Sequence, residues 1–203
     1  METLLLDSSL TSGSAAPSQV PTFAETRELT YRLMELGALA TQAQGAMHIA
    51  VDNGCGHDPT LLSIKETLRK VETAREAAAA LNLPLCVLAC TQARVAKALQ
   101  DDADPRDRRF TTGAKNQKGF HAYCGGVDAA ISRALIYAQY ADVVCYRTES
   151  IDLTEATRFA SAVKSSFPLK QLGFSYTPTP EAPRWNELDH RAFAGQLRQI
   201  GYD

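Results

Sequence analysis

Short apolar runs alternate with amphipathic stretches along nearly this whole chain, and that alternation restricts the fold more than any single motif. Met47-His-Ile-Ala-Val51 and Leu85-Cys-Val-Leu-Ala89 are apolar enough for strands covered on both faces. Between them, residues 60–82 place Leu61, Ile64, Leu68, Val71, Ala74, Ala78 and Leu81 on one helical stripe, behind a capping Asp58-Pro59-Thr60. Leu29, Leu33, Leu36, Leu39 and Ala40 predict an earlier helix over 25–40. Further helices are expected over 126–139, 152–165 and 187–200, and strands over 142–146 and 170–175. The polar stretch 100–120 reads as a long surface loop. Such an order implies an α/β fold of parallel strands joined by right-handed crossovers.

The strand count limits how far that fold can go. About four to five strands are visible, whereas a closed (β/α) barrel uses eight, typically in ~250 residues. A TIM-barrel-like fold built from this set is expected to be incomplete, with open edges for another chain or an extra helix to cover. No glycine-rich phosphate loop of the dinucleotide or nucleotide-triphosphate type is present.

Composition excludes several function classes. The 203 residues carry 21 lysines and arginines against 23 acids, a balance that offers no case for nucleic acid or an anionic membrane as partner. No stretch approaches the ~20 apolar residues of a membrane span, and Leu4-Leu-Leu6 is too short for a signal core. The five cysteines, Cys55, Cys86, Cys90, Cys124 and Cys145, have no metal-ligand spacing and are odd in number, so reduced thiols in the cytoplasm are expected. Residues 1–22, rich in Ser, Pro and Gly from position 8, read as a flexible arm, leaving 23–203 as one domain.

Asn53-Gly-Cys-Gly-His57 stands out chemically. Cys55 and His57 sit two apart among glycines, so a thiol and an imidazole could face one cleft, and a thiolate beside an imidazolium is a base or nucleophile. A loop cysteine beside a solvated histidine is the plainer alternative. Cys86 and Cys90 read as small core residues, His48 as a satisfied strand-start histidine, and His121 and His190 as solvated. Arg106, Arg108 and Arg109, alternating with acids, read as a solvated loop, and Trp185 as packing on the last helix or anchoring a partner.

From Cys55 to Tyr202 the chain resembles isocitrate lyase, of the isocitrate lyase and phosphoenolpyruvate mutase superfamily. The resemblance is carried by Cys55-Gly56-His57, Pro84-Leu-Cys-Val-Leu-Ala-Cys-Thr-Gln-Ala93 and Asp104-Pro-Arg-Asp-Arg-Arg-Phe-Thr-Thr-Gly113. It continues through Gly119-Phe120, Gly125-Gly126, Ala129-Ala-Ile-Ser-Arg-Ala134, Tyr137-Ala-Gln-Tyr-Ala-Asp142, Asp152-Leu-Thr-Glu-Ala156 and Thr177-Pro178-Thr179. It implies a magnesium-dependent TIM-like barrel that cleaves isocitrate to glyoxylate and succinate, with a loop cysteine handling the succinate carbanion's proton. It also implies Cys55 and His57 as catalytic, and Gly56, Thr91, Ser175, Thr177 and Thr179 as substrate-binding.

The departures fall where that chemistry lives. Asn53 and Gly54 replace two lysines of the family's Lys-Lys-Cys-Gly-His loop. His48-Ile49-Ala50-Val51-Asp52 stands against the metal-side His-Phe-Glu-Asp-Gln and lacks its glutamate. Ala89-Cys90-Thr91-Gln92-Ala93 replaces Ala-Arg-Thr-Asp-Ala, losing an arginine and an acid. Arg147 takes the place of a glutamate, and Ser175-Tyr176-Thr177-Pro178-Thr179 replaces Asn-Cys-Ser-Pro-Ser. The aspartate-rich metal motif and a Ser-Gly-Trp segment have no counterpart before Phe23, and the family's last strands and C-terminal helices have none before Asp203.

These departures give the expectation that magnesium-dependent cleavage is lost, that no metal or cofactor is held, and that the chain is a pseudoenzyme or a partner or scaffold subunit. Homo- or hetero-oligomerisation is expected, including completion of the barrel by a second copy or an intact lyase. The alternative is a working metal-independent enzyme using Cys55 and His57 on a small carboxylate.

Overall fold

A computed structural model describes residues 39–43, 46–50, 60–80, 86–177 and 185–203. The elements run β1 (Leu39–Ala43), β2 (Ala46–Ala50), β3 (Thr60–Leu61), α1 (Ile64–Ala80), β4 (Leu88–Thr91), β5 (Ala98–Leu99) and α2 (Pro105–Arg108). They continue with β6 (Thr111–Lys115), β7 (His121–Tyr123), α3 (Val127–Tyr137), β8 (Val143–Thr148), α4 (Leu153–Ser166), β9 (Gln171–Tyr176) and α5 (Glu187–Gln199). The fold is mixed α/β with parallel strands. Residues 1–22, and 25–38 of the first expected helix, lie outside the described residues.

The three-stranded sheet has the order β4-β8-β9, all parallel, with Leu88 opposite Val143 and Val143 opposite Gln171. Parallel neighbours need a crossover, and α4 supplies the one from β8 to β9. Because side chains alternate along a strand, the sheet has two unlike faces. Val144, Tyr146, Leu172 and Phe174 face the helices and join Ala130, Ala134, Phe159, Val163, Phe193 and Leu197 in the main core. Leu88, Cys90 and Cys145, with Val143, form a separate small cluster on the opposite face.

Aromatic rings lock the helix side. Tyr146 packs on Phe159 at 4.7 Å and meets Phe174 at 5.9 Å, and Phe174 in turn meets Phe193 and Tyr202 edge-on at 5.3 and 5.9 Å. Trp185 packs on α5, 5.7 Å from the Phe193 ring. The helix starts are sealed locally. Asp152 accepts from the amides of Thr154 and Glu155 at the head of α4, and Asn186 and Asp189 form a reciprocal capping box on α5. At the outer edge of β9, the Leu172 amide donates to the Asp203 carboxylate at 2.9 Å, and the Asp203 amide returns a bond to the Leu172 carbonyl at 3.0 Å.

Three segments differ from the reading of the sequence. Thr60 and Leu61, placed at the head of a helix over 60–82, form β3 beside β5, and the helix begins at Ile64. Leu39 and Ala40, assigned to a helical stripe, belong to β1, which pairs antiparallel with β2 through Leu39–Ala50 and Ala43–Ala46. Strand pairing here overrides a spacing that fits a helix. The supposed loop 100–120 holds α2 and β6, which pairs antiparallel with β7 just beyond it, within a sheet of order β3-β5-β7-β6. Asn116 makes the turn, its side-chain oxygen accepting from the amides of Lys118 and Phe120 at 3.0 Å each. Most of β6 is exposed, so it carries no apolar alternation to betray a strand.

Candidate functional site at the strand ends

In parallel α/β sheets, ligands bind beyond the carboxyl ends of the strands. For β4, β8 and β9 those ends carry Thr91, Thr148 and Thr177. Strand parity decides which side chains share a face there. Arg147 lies opposite Ser175 in the ladder, two residues on from the Cys145–Gly173 pair. A Cβ on Gly173 would sit 3.4 Å from Cys145 Cβ and 3.5 Å from its sulfur. Cys90, Cys145, Arg147, Gly173 and Ser175 thus line the face away from the main helix core, hereafter the inner face. Arg147 Nη2 donates to Thr177 Oγ1 at 3.3 Å, bringing Thr177 to the same place.

Ser175 and Thr177, both inferred as substrate-binding, therefore come together, with Arg147 beside them. Thr91 does not join them. It lies opposite Tyr146 and is fully buried, and its hydroxyl accepts from the Ala93 amide at 3.3 Å. Its neighbour Cys90 takes the inner face, so parity turns Thr91 toward the helices. Thr91 thus lies on the other face of the sheet from Ser175 and Thr177. Cys55, Gly56, His57 and Thr179 lie outside the described residues.

The deep part of the inner face holds two thiols among apolar side chains. Cys90 and Cys145 are directly opposed across β4 and β8, and both are buried. The Cys145 thiol is held well above its usual range by its hydrogen bond with Cys90 and by burial, with the nearby Arg147 charge acting in the opposite sense. It stays a neutral thiol at physiological pH, a poor nucleophile and a poor metal ligand. Among the described residues, no three of His, Cys, Asp and Glu come together in a way that could hold a metal ion.

On the helix side of the same strand ends, a polar network holds the loops in place. Arg94 Nε pairs with Glu155 Oε2 at 2.8 Å, and the same carboxylate oxygen accepts from the Tyr146 hydroxyl at 2.9 Å. Burial, then the bond to Glu155, pushes the Tyr146 hydroxyl well above the usual tyrosine range. The hydrogen bond to Glu155 leads the causes that raise Arg94. Thr148 and Ser150 close a tight turn, the Ser150 amide donating to Thr148 Oγ1 at 3.1 Å. This network was not read from the sequence, since Arg94, Tyr146 and Glu155 belong to three separate segments. From the sequence, Arg147 is noted only as the replacement of a glutamate, not as a neighbour of Ser175 and Thr177.

Parallel strands linked by helical crossovers define the chain as a mixed α/β protein of the (β/α) kind. Comparison with known proteins narrows the class. Residues 114–203 match the sequence model of the isocitrate lyase family. The chain is 35% identical over 181 residues to isocitrate lyase of Salmonella typhimurium and to that of Escherichia coli K12, and 34% identical to that of Halalkalibacterium halodurans. Each match covers 86% of this chain and 41% of the relative, so the chain spans about two fifths of the length of the curated relatives it matches. By sequence, the chain is similar to isocitrate lyases over most of its own length, and its C-terminal part matches that family's model.

Proposed function

We propose that this chain has lost the magnesium-dependent cleavage of isocitrate to glyoxylate and succinate, and acts as a pseudoenzyme, a partner or scaffold subunit built on a partial lyase barrel. Cys90 carries the reading. It stands where the family's Ala-Arg-Thr-Asp-Ala has its arginine, and it lies on the inner face, buried against Cys145. A guanidinium there could fork onto a substrate carboxylate, whereas a buried thiol offers only weak polar contact. A polycarboxylate substrate would then lose a charge-assisted bond typically worth about 1.5–3 kcal/mol.

The described inner-face residues do not fit a magnesium ion. Magnesium takes hard oxygen donors in near-octahedral array, usually including carboxylates. This face offers two thiols, two hydroxyls and the Arg147 cation, which repels a divalent ion.

A second reading is a metal-independent enzyme in which Cys55 and His57 do acid–base work, with Ser175, Thr177 and Thr179 along the site. Arg147 favours it, because a fixed cation can do part of a metal's charge-neutralising work. Purified chain given isocitrate with magnesium is expected to release no glyoxylate; steady release would overturn the loss of cleavage. For the second reading, an activity unchanged in both Cys55→Ala and Cys55→Ser would remove Cys55 from the mechanism. Light scattering with and without an intact lyase tests the subunit role, and a monomer that leaves the lyase's mass unchanged would end it.

A further inference from the structure

Cys90 on β4 and Cys145 on β8 are register partners in neighbouring parallel strands, and register partners share a face of the sheet. Adjacent strands run about 4.8 Å apart, which falls within the about 4.4–6.8 Å between Cα atoms that a disulfide spans. The two thiols are already in hydrogen-bond contact. On its other flank Cys145 meets Gly173, where a Cβ would come within 3.5 Å of the Cys145 sulfur. The glycine thus leaves that sulfur room to turn toward Cys90. Leu88 and Val143 complete the cluster, and neither brings a charge or a competing ligand. β4 is an edge of its sheet, so local opening of this one strand uncovers Cys90. Cys90 also stands where the lyase motif has an arginine, which makes the pair a feature of this chain's own sequence.

We propose that Cys90 and Cys145 are an oxidative modification site, at which hydrogen peroxide converts them to a cross-strand disulfide that ties β4 to β8. Cys90 is oxidised first, being the more exposed of the two at 6% against 1%. Peroxide passes one oxygen to its sulfur, giving Cys90 sulfenic acid and one water. The Cys145 sulfur then attacks the Cys90 sulfur and the S–O bond breaks. The departing hydroxide takes the Cys145 proton and leaves as a second water. The two thiols give up two electrons and two hydrogens, and the peroxide O–O bond takes the electrons. Both thiols are buried, so the reaction is slow and gated by the opening of β4. A thiol reductant returns the pair to its starting form. The inference goes beyond the lost-cleavage reading and does not depend on it.

The test is peptide mapping of the full chain after hydrogen peroxide, quenched with catalase, then denatured and alkylated without reductant. A peptide pair linked through Cys90 and Cys145 is expected, absent before oxidation and released by dithiothreitol. The urea midpoint of the linked chain is expected to rise, because the bond closes the 90–145 loop in the unfolded chain. Cys90→Ala is expected to show neither the link nor the shift. The mapping needs only the parent chain, so it decides the matter even should Cys90→Ala fail to fold. Free Cys90 and Cys145 after a treatment that has oxidised the exposed Cys124 would overturn the site. So would Cys145 linked instead to Cys86 or Cys124, Cys90 carried to the sulfinic acid with Cys145 still free, or a linked chain that unfolds at lower urea than the reduced one. Glyoxylate release from isocitrate overturns the lost-cleavage reading and leaves the disulfide standing.

Discussion

Arg133 of α3 grips Asp107 of α2 with two arms of its guanidinium, at 2.9 and 2.8 Å, and neither side chain reaches solvent. The same arginine donates to the Leu62 carbonyl at 2.7 Å and to the Tyr137 hydroxyl at 3.0 Å. One side chain thus ties the start of α1, the 104–109 segment and α3 together. Removing one partner of a buried pair strands the other charge, at about 3–5 kcal/mol. Asp107→Ala is expected to lose stability on that scale in urea unfolding, and Asp107→Ala with Arg133→Met to recover much of it. A loss under 1 kcal/mol in the single variant would contradict the burial.

Gly125 is fixed by space rather than by backbone angle. A Cβ there would meet the carbonyl oxygens of Arg94, Ala93 and Ala96 at 2.7, 2.8 and 2.9 Å, all of them backbone atoms that cannot swing aside. Gly125→Ala is expected to destabilise by about 1–3 kcal/mol, by prising the loop after β4 from the start of α3. Gly113→Ala meets no such contact, though its positive φ strains any side chain. Comparing the two melting midpoints separates overpacking from backbone strain, and a Gly125→Ala protein as stable as the parent would refute the close packing.

Tyr146 and Tyr202 make stability fall in alkali. Both hydroxyls are held above the ordinary tyrosine value of 10.0, in each case first by burial. A raised folded-state value means that the folded chain keeps its proton where the unfolded chain releases it. The associated stability is fully present below pH ~10 and is lost as the pH rises from there toward the folded-state values. Urea midpoints measured between pH 8 and 11.5 are expected to drop above ~10, with a shallower drop in Tyr146→Phe and Tyr202→Phe. Equal slopes in all three proteins would contradict the assignment.

Thiol labelling reads out the inner face. Of the described cysteines, Cys124 is exposed, Cys86 half-buried, and Cys90 and Cys145 buried. Maleimide treatment followed by peptide mapping is expected to modify Cys124 first and Cys86 slowly, since burial, then the Asp142 charge, raises its thiol value. Cys90 and Cys145 are expected to react only in denaturant. Labelling of Cys145 in the native protein would mean that the inner face is open to solvent.

The α3, β8, α4, β9 and α5 stretch was legible because each element is long enough for its period to show, from Val127 to Gln199. Beyond it, the physics that decides structure was not local. Leu39 and Ala40 fit a helical stripe, but they pair with β2. Asp107 looks solvated among arginines, yet it is buried because Arg133 arrives from 26 residues further along the chain. Thr91 sits in the motif that marks the site, but a one-residue parity step from Cys90 sends its hydroxyl toward the helices. Ser175 and Thr177 were legible as a pair, since two residues apart on one strand share a face. Arg147 as their companion required knowing that β8 and β9 are neighbours in this register.

Incubating the purified full chain with isocitrate and magnesium, and following glyoxylate as its phenylhydrazone against an EDTA control, tests the central claim most directly. With Cys90 in the arginine's place on the inner face, the two traces are expected to coincide at the uncatalysed background. Magnesium-dependent glyoxylate accumulation that EDTA abolishes would contradict the account.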